Sequence, residues 1–207
     1  MRKLIVLLAL SLGTALAEPP KLAVDSDYAA GGQVTAQVRN DSDMAVTAFV
    51  VGTSDKEFAS FDSLLGARDG RVLRPSETTE VQFPSHTEAE ARVLAVIFED
   101  GTTTGDRRWV HYLIDAREDV RQQLPLALAW LQHATSPGVT ASTVAFWFRS
   151  WQDNWHASDA SRVMSVPLAA EIFLARSGNQ PAEQPARELI QVFEEMSAKL
   201  AASKPEL

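Results

Sequence analysis

The stretch RVLAVIFEDGTTTGDRRWVHYL, from Arg92 to Leu113, decides the fold, because the hydrophobic period changes within it. Val93 to Phe98 is a dense apolar run, of the kind found in a strand buried on both faces. Asp100-Gly101, a strong turn dipeptide, ends it. Beyond Gly105, Trp109, Leu113, Ala116, Val120, Leu124, Ala127 and Leu131 recur at steps of three and four, the stripe of one long helix. Thr104 or Asp106 is placed to cap that helix. Pro125 falls inside the stripe and is expected to kink or restart it.

Upstream of the switch the period is two. Val34, Ala36 and Val38 alternate with Gln33, Thr35, Gln37 and Arg39, and Asn40-Asp41-Ser42-Asp43 supplies a turn before Val46, Ala48 and Val50. That pattern predicts a hairpin. Thr78 to Phe83 alternates less cleanly. Several short strands separated by turn chemistry predict an antiparallel β-sandwich over residues 18–105.

Downstream the signals are helical. Ser136-Pro137-Gly138 makes a turn, and Thr140 is a cap for the next helix. A third helical region is expected from about Asp159 to Arg176, interrupted near Pro167 and closed by Gly178-Asn179. The last helix begins near Pro181 or Pro185 and presents Leu189, Phe193, Met196 and Leu200, and Lys204 to Leu207 reads as a frayed tail. The expected class is therefore α+β, with a helical region of about four helices over residues 106–207. Only Gly105-Asp106 joins the halves, too little for a free linker, so the first helix should pack on or beside the sheet.

Val34 to Val51, a strand, an Asn40-x-Ser42 turn and a second strand, followed by Leu73-x-Pro75 before another strand, resembles the extracytoplasmic immunoglobulin-like modules of bacteria. The resemblance covers residues 22–105. It implies an adhesive, assembly or spacer module and carries over no catalytic residue. The stretch departs from the immunoglobulin pattern in having no Trp between Lys21 and Gly105 and no paired cysteines.

Met1-Arg2-Lys3, the apolar run Leu4 to Leu12 and Ala15-Leu16-Ala17 read as a signal peptide over residues 1–17, with the mature chain starting at Glu18. The apolar run is shorter than the roughly 20 residues that cross a bilayer, and no later stretch reaches that length without a charge. The chain has no cysteine, which excludes disulfides, thiol nucleophiles and thiolate metal sites. A soluble exported protein, periplasmic or extracellular, is the expectation. Without Arg2 and Lys3 the chain keeps 17 basic against 27 acidic residues, about −10 net. With basic residues scattered singly or in pairs such as Arg107-Arg108, no nucleic-acid partner is expected.

The conspicuous cluster is Phe146 to Trp155. At 100° per residue Val144, Trp147, Phe148, Trp151 and Trp155 share one face, read as helical core in preference to a ligand platform, while Phe146 points to the opposite side as a second contact surface. His86, His111, His133 and His156 lack paired-ligand spacing and read as surface or cap residues. Asp25-Ser26-Asp27 and Asp41-Ser42-Asp43 read as turn chemistry in preference to calcium ligands. Glu99 is expected to face water beside the Asp100-Gly101 turn. Asn40-Asp41-Ser42 matches a glycosylation sequon. No G-x-S-x-G, S-x-x-K, HExxH or phosphate-binding glycine motif occurs. Sequence reasoning therefore assigns no catalytic residue, metal or cofactor. The leading expectation is a non-catalytic exported binding or assembly protein acting on another extracytoplasmic protein or envelope component. The alternatives are an envelope polysaccharide or peptide hydrolase with its site between the halves, and a carbohydrate-binding module using Trp147, Trp151 and Trp155.

Overall fold

The computed structural model describes residues 21–29, 31–65, 72–86, 89–154 and 165–203. The expected signal peptide, Trp155, His156, the start of the third helical region and the tail lie outside them. Among the described residues the chain is α+β. Seven strands come first: β1 Leu22–Ala29, β2 Gln33–Asn40, β3 Val46–Gly52, β4 Phe58–Asp62, β5 Thr78–Pro84, β6 Arg92–Phe98 and β7 Thr103–Gly105. Four helices follow: α1 Arg107–Ala134, α2 Ala141–Asn154, α3 Val166–Ala175 and α4 Glu183–Ala202.

The strands form two antiparallel sheets, β1-β2-β5 and β4-β3-β6-β7. Period two in β2 buries Val34, Ala36 and Val38 and leaves Gln33, Gln37 and Arg39 outside. The expected β2–β3 hairpin does not form. β2 pairs with β1 and β5, β3 pairs with β4 and β6, and residues 41–45 cross from one sheet to the other. The reason lies in β3 itself, which is buried at every residue and so needs cover on both faces, whereas β2 has a polar face for water.

Asn40 holds this corner. Its side-chain amide donates to the carbonyls of Met44 and Leu73 at 2.8 and 2.9 Å, and its Oδ1 accepts from the Ser42 amide and hydroxyl at 3.0 and 2.7 Å. Asn40 is fully buried and its amide nitrogen is fully engaged, so the sequon is closed to modification in the folded chain. Asp25 and Asp27, read as turn residues, instead lie within β1, opposite Gln37 and Thr35. Their alternation with Ser26 is strand period, with the carboxylates on the exposed side.

The four-stranded sheet is the middle layer. Val46, Phe49 and Val51 of β3 with Val96 and Phe98 of β6 meet Val34, Ala36, Val38 and Phe83 of the other sheet. Ala48, Val50, Ala95 and Ile97 face the opposite way and pack against Trp109, Val110 and Leu113 of α1. Register shifts between Val46 and Ala48 and between Val50 and Val51 reset which residues share a face. The double cover explains the apolar run Val93–Phe98.

Gly105 makes the passage from β7 to α1. Its φ is +106°, and a Cβ there would stand 2.4 Å from the Leu94 carbonyl oxygen. Asp106 then caps α1, its side chain accepting from the Arg108 amide at 2.9 Å. At 28 residues α1 is about 42 Å long, so it outruns the sheet. Its second half, through Val120, Leu124, Ala127 and Leu131, enters a separate core with Phe148, Leu174, Leu189 and Phe193 from the other helices.

The helix does not restart at Pro125. The ring sits on the solvent side, where water can take the Arg121 carbonyl that lost its donor, while Leu124 and Ala127 keep the inner face packed. Pro167 lies in the first turn of α3, whose amides need no helical partner, after the Ser165 cap, and the residues before Ser165 lie outside the described ones. Thr140 caps α2, accepting from the Thr143 amide at 3.3 Å, and Gly178 follows α3 with φ +58°.

Candidate functional site

The junction between sheet and helices is where the hydrolase alternative places its site. Asp62 ends β4, and Arg117 sits on the buried stripe of α1 between Leu113 and Val120. Arg117 Nε donates to Asp62 Oδ2 at 2.7 Å, and its Nη2 donates to Asp62 Oδ1 at 3.2 Å and to Thr47 Oγ1 at 3.0 Å. The Leu64 amide adds a bond to Oδ1 at 2.9 Å. Burial pushes the Asp62 carboxyl above its ordinary range, against the lowering pull of Arg117 and of the Leu64 and Leu65 amides. Both side chains are within 2% of full burial and both oxygens are engaged. The pair ties β3, β4 and α1 together, and it leaves no acid–base group open to a substrate.

Glu57, Ser85 and His86 also converge. Ser85 Oγ and Thr53 Oγ1 donate to Glu57 Oε2 at 2.7 and 2.9 Å, and the His86 backbone amide donates to Oε1 at 2.7 Å. A nucleophilic serine needs an accessible hydroxyl beside a base. Ser85 is fully buried, and the carboxylate between loop hydroxyls and an amide serves as a latch on the loop after β5.

The described residues on the aromatic face of α2 divide in two. Val144 and Phe148 are fully buried, as expected for core. Trp147 and Trp151 are half-buried. They meet two residues of α1 that lie off its buried stripe, Trp130 and His133. The Trp130 ring stands 5.1 Å from Trp151 and 5.7 Å from Phe148, and the His133 ring stacks on Trp147 at 6.0 Å with 21° between planes. Trp130, His133, Trp147 and Ser150 line an open cleft of about 410 Å³. Phe146, on the other side of α2 as expected, is 63% exposed. One turn on, Arg149 is bound to Glu171 of α3 at 2.6 Å.

The remaining candidates stay apart. Glu99 is exposed, and Asp100 accepts from the Thr102 hydroxyl and amide at 2.7 and 2.9 Å, bonds that hold its carboxyl below the ordinary range. His111 accepts from Arg107 Nε at 3.3 Å. Among the described residues no three His, Asp or Glu side chains gather as metal ligands, and no helix is long and apolar enough to cross a membrane.

Sequence reasoning missed Arg117 and the cleft residue Trp130, and read His133 as a surface or cap residue; it is exposed in the last turn of α1 and lines the cleft. A signal existed for each. Arg117 is a charged residue four positions from Leu113 on an otherwise apolar stripe, which calls for a buried partner. Trp130 follows Leu126 by four and precedes His133 by three, a second stripe displaced from the first. Comparison with family models, curated proteins and solved structures finds no match for this chain.

Proposed function

We propose that this chain is a non-catalytic exported binding or assembly protein: an immunoglobulin-like β-sandwich bearing a helical region that engages another extracytoplasmic protein or envelope component. The observation that carries the reading is where large apolar side chains meet water. Leu126, Trp130, Phe146 and Ile172 are between 37% and 63% exposed, and all four belong to the helical half. On the sheet half only Tyr28 stands with them among the described residues. Large apolar side chains left exposed on one half make that half the candidate for an interaction surface.

Two further features support the reading. The allocation of β1, β2 and β5 to one sheet and β3, β6 and β7 to the other follows the immunoglobulin order, with β4 beside β3 instead of on the first sheet. Export rests on the tripartite pattern of residues 1–17. The junction, filled by Arg117 and Asp62, gives the hydrolase reading no support.

The test is a crosslinking capture from native envelope with the mature chain and with Phe146→Ser/Leu126→Ser. One dominant partner, captured by the first and lost by the second, is expected. Equal capture by both chains would move the surface elsewhere. Turnover of an envelope polysaccharide or peptide by the purified chain would overturn the reading.

A further inference from the structure

We propose that the cleft between α1 and α2 is a binding site for a small, neutral, planar apolar molecule carrying a single polar group. The inference goes beyond the proposed partner surface and stands or falls independently of it. Its walls come from two helices that the core fixes in place. The Trp130 ring rests on Phe148, fully buried, and on Trp151. A space of about 410 Å³ lies within the range of small-ligand sites.

The lining sets the ligand class. Trp130 and Trp147 contribute aromatic rings to the lining, with His133 stacked on Trp147, and aromatic surface suits a flat apolar guest. Among the described residues no Asp, Glu, Lys or Arg lines the cleft, so a charged ligand would lose hydration without gaining a counter-charge. Besides the two indole N–H groups, the polar side-chain groups of the described lining residues are the Ser150 hydroxyl and the His133 imidazole. One hydroxyl or carbonyl can be paired there. An aromatic ring with one such group suits this mainly aromatic lining better than a carbohydrate does.

The experiment follows the indole N–H resonances of the ¹⁵N-labelled mature chain during titration with benzyl alcohol. Saturable shifts at Trp130 and Trp147 are expected, with a dissociation constant of about a millimolar for so few atoms. Methyl glucoside and tetramethylammonium at the same concentrations should leave those signals in place. Ser150→Phe, which fills the cleft from its rim, should weaken benzyl alcohol by about tenfold or more. Trp130→Ala, at a residue 37% exposed and therefore tolerant of truncation, should do the same if the first variant fails to fold. Linear shifts without saturation, or unchanged affinity in a folded variant, would remove the site. Saturation by the glucoside or the ammonium ion in place of benzyl alcohol would overturn the assigned class.

Discussion

The sheet half and the helical half bury their apolar residues in different ways. Every residue of β3 is buried because the sheet it belongs to lies between a second sheet and α1, whereas α2 and α3 have cover on one side and present Phe146 and Ile172 to water. The outer face of the β1-β2-β5 sheet is polar, with Asp25, Asp27, Gln37 and Glu80 on its strands. The difference teaches that cover is unevenly shared: the sheet half is closed by its second sheet and by α1, and the helical half leaves large apolar side chains at its surface.

The largest effect is expected where the halves are tied. Asp62→Ala strands a buried guanidinium and should cost about 3–5 kcal/mol in urea unfolding. Asp62→Leu/Arg117→Met should recover most of that loss; if it does not, the pair does more than fasten helix to sheet. Next is the corner. Asn40→Ala takes one of two donors from each of the Met44 and Leu73 carbonyls, which keep the Ser42 hydroxyl and the Val46 amide, and takes the acceptor from the Ser42 amide; it should cost about 2 kcal/mol. Hydrogen exchange should place the loosening in the strands; equal loosening of α2 to α4 would show that the halves open as one unit.

A smaller effect of opposite sign is expected in the helical half. Pro125→Ala restores a donor to the Arg121 carbonyl at an exposed position, and should raise stability by about 1 kcal/mol in thermal unfolding after the loss of proline's restraint on the unfolded chain. The smallest is Phe146→Ser, expected to shift the unfolding midpoint by less than about 0.5 kcal/mol while removing partner capture. A large loss of stability there would make Phe146 structural, and the contrast between closed and open halves would fail on that side.

Much of the fold was legible because it depends on period. The stripe from Trp109 to Leu131 is buried at each predicted position, as are Leu189, Phe193, Met196 and Leu200 on α4. Val93 to Phe98 read as doubly covered, and it is. The expected hairpin failed because alternation tells which face of a strand is apolar and not which strand pairs with it; Asn40 and Ser42 look like turn residues whether the chain folds back or crosses to another sheet. The expected restart at Pro125 did not occur, because a proline whose ring lies on the wet side of a helix leaves the packed face continuous.

The sequence by itself determined the α+β order, the change of period at Gly105 and the apolar stripes of α1, α2 and α4, since these follow from the geometry of one chain's backbone. Only the tertiary structure decided which strands are neighbours, that Arg117 meets Asp62, and that Trp130 and Trp147 border one cleft. Those outcomes join residues 17 to 55 positions apart. Spacing along a chain fixes local direction, and proximity across such distances depends on how the layers pack.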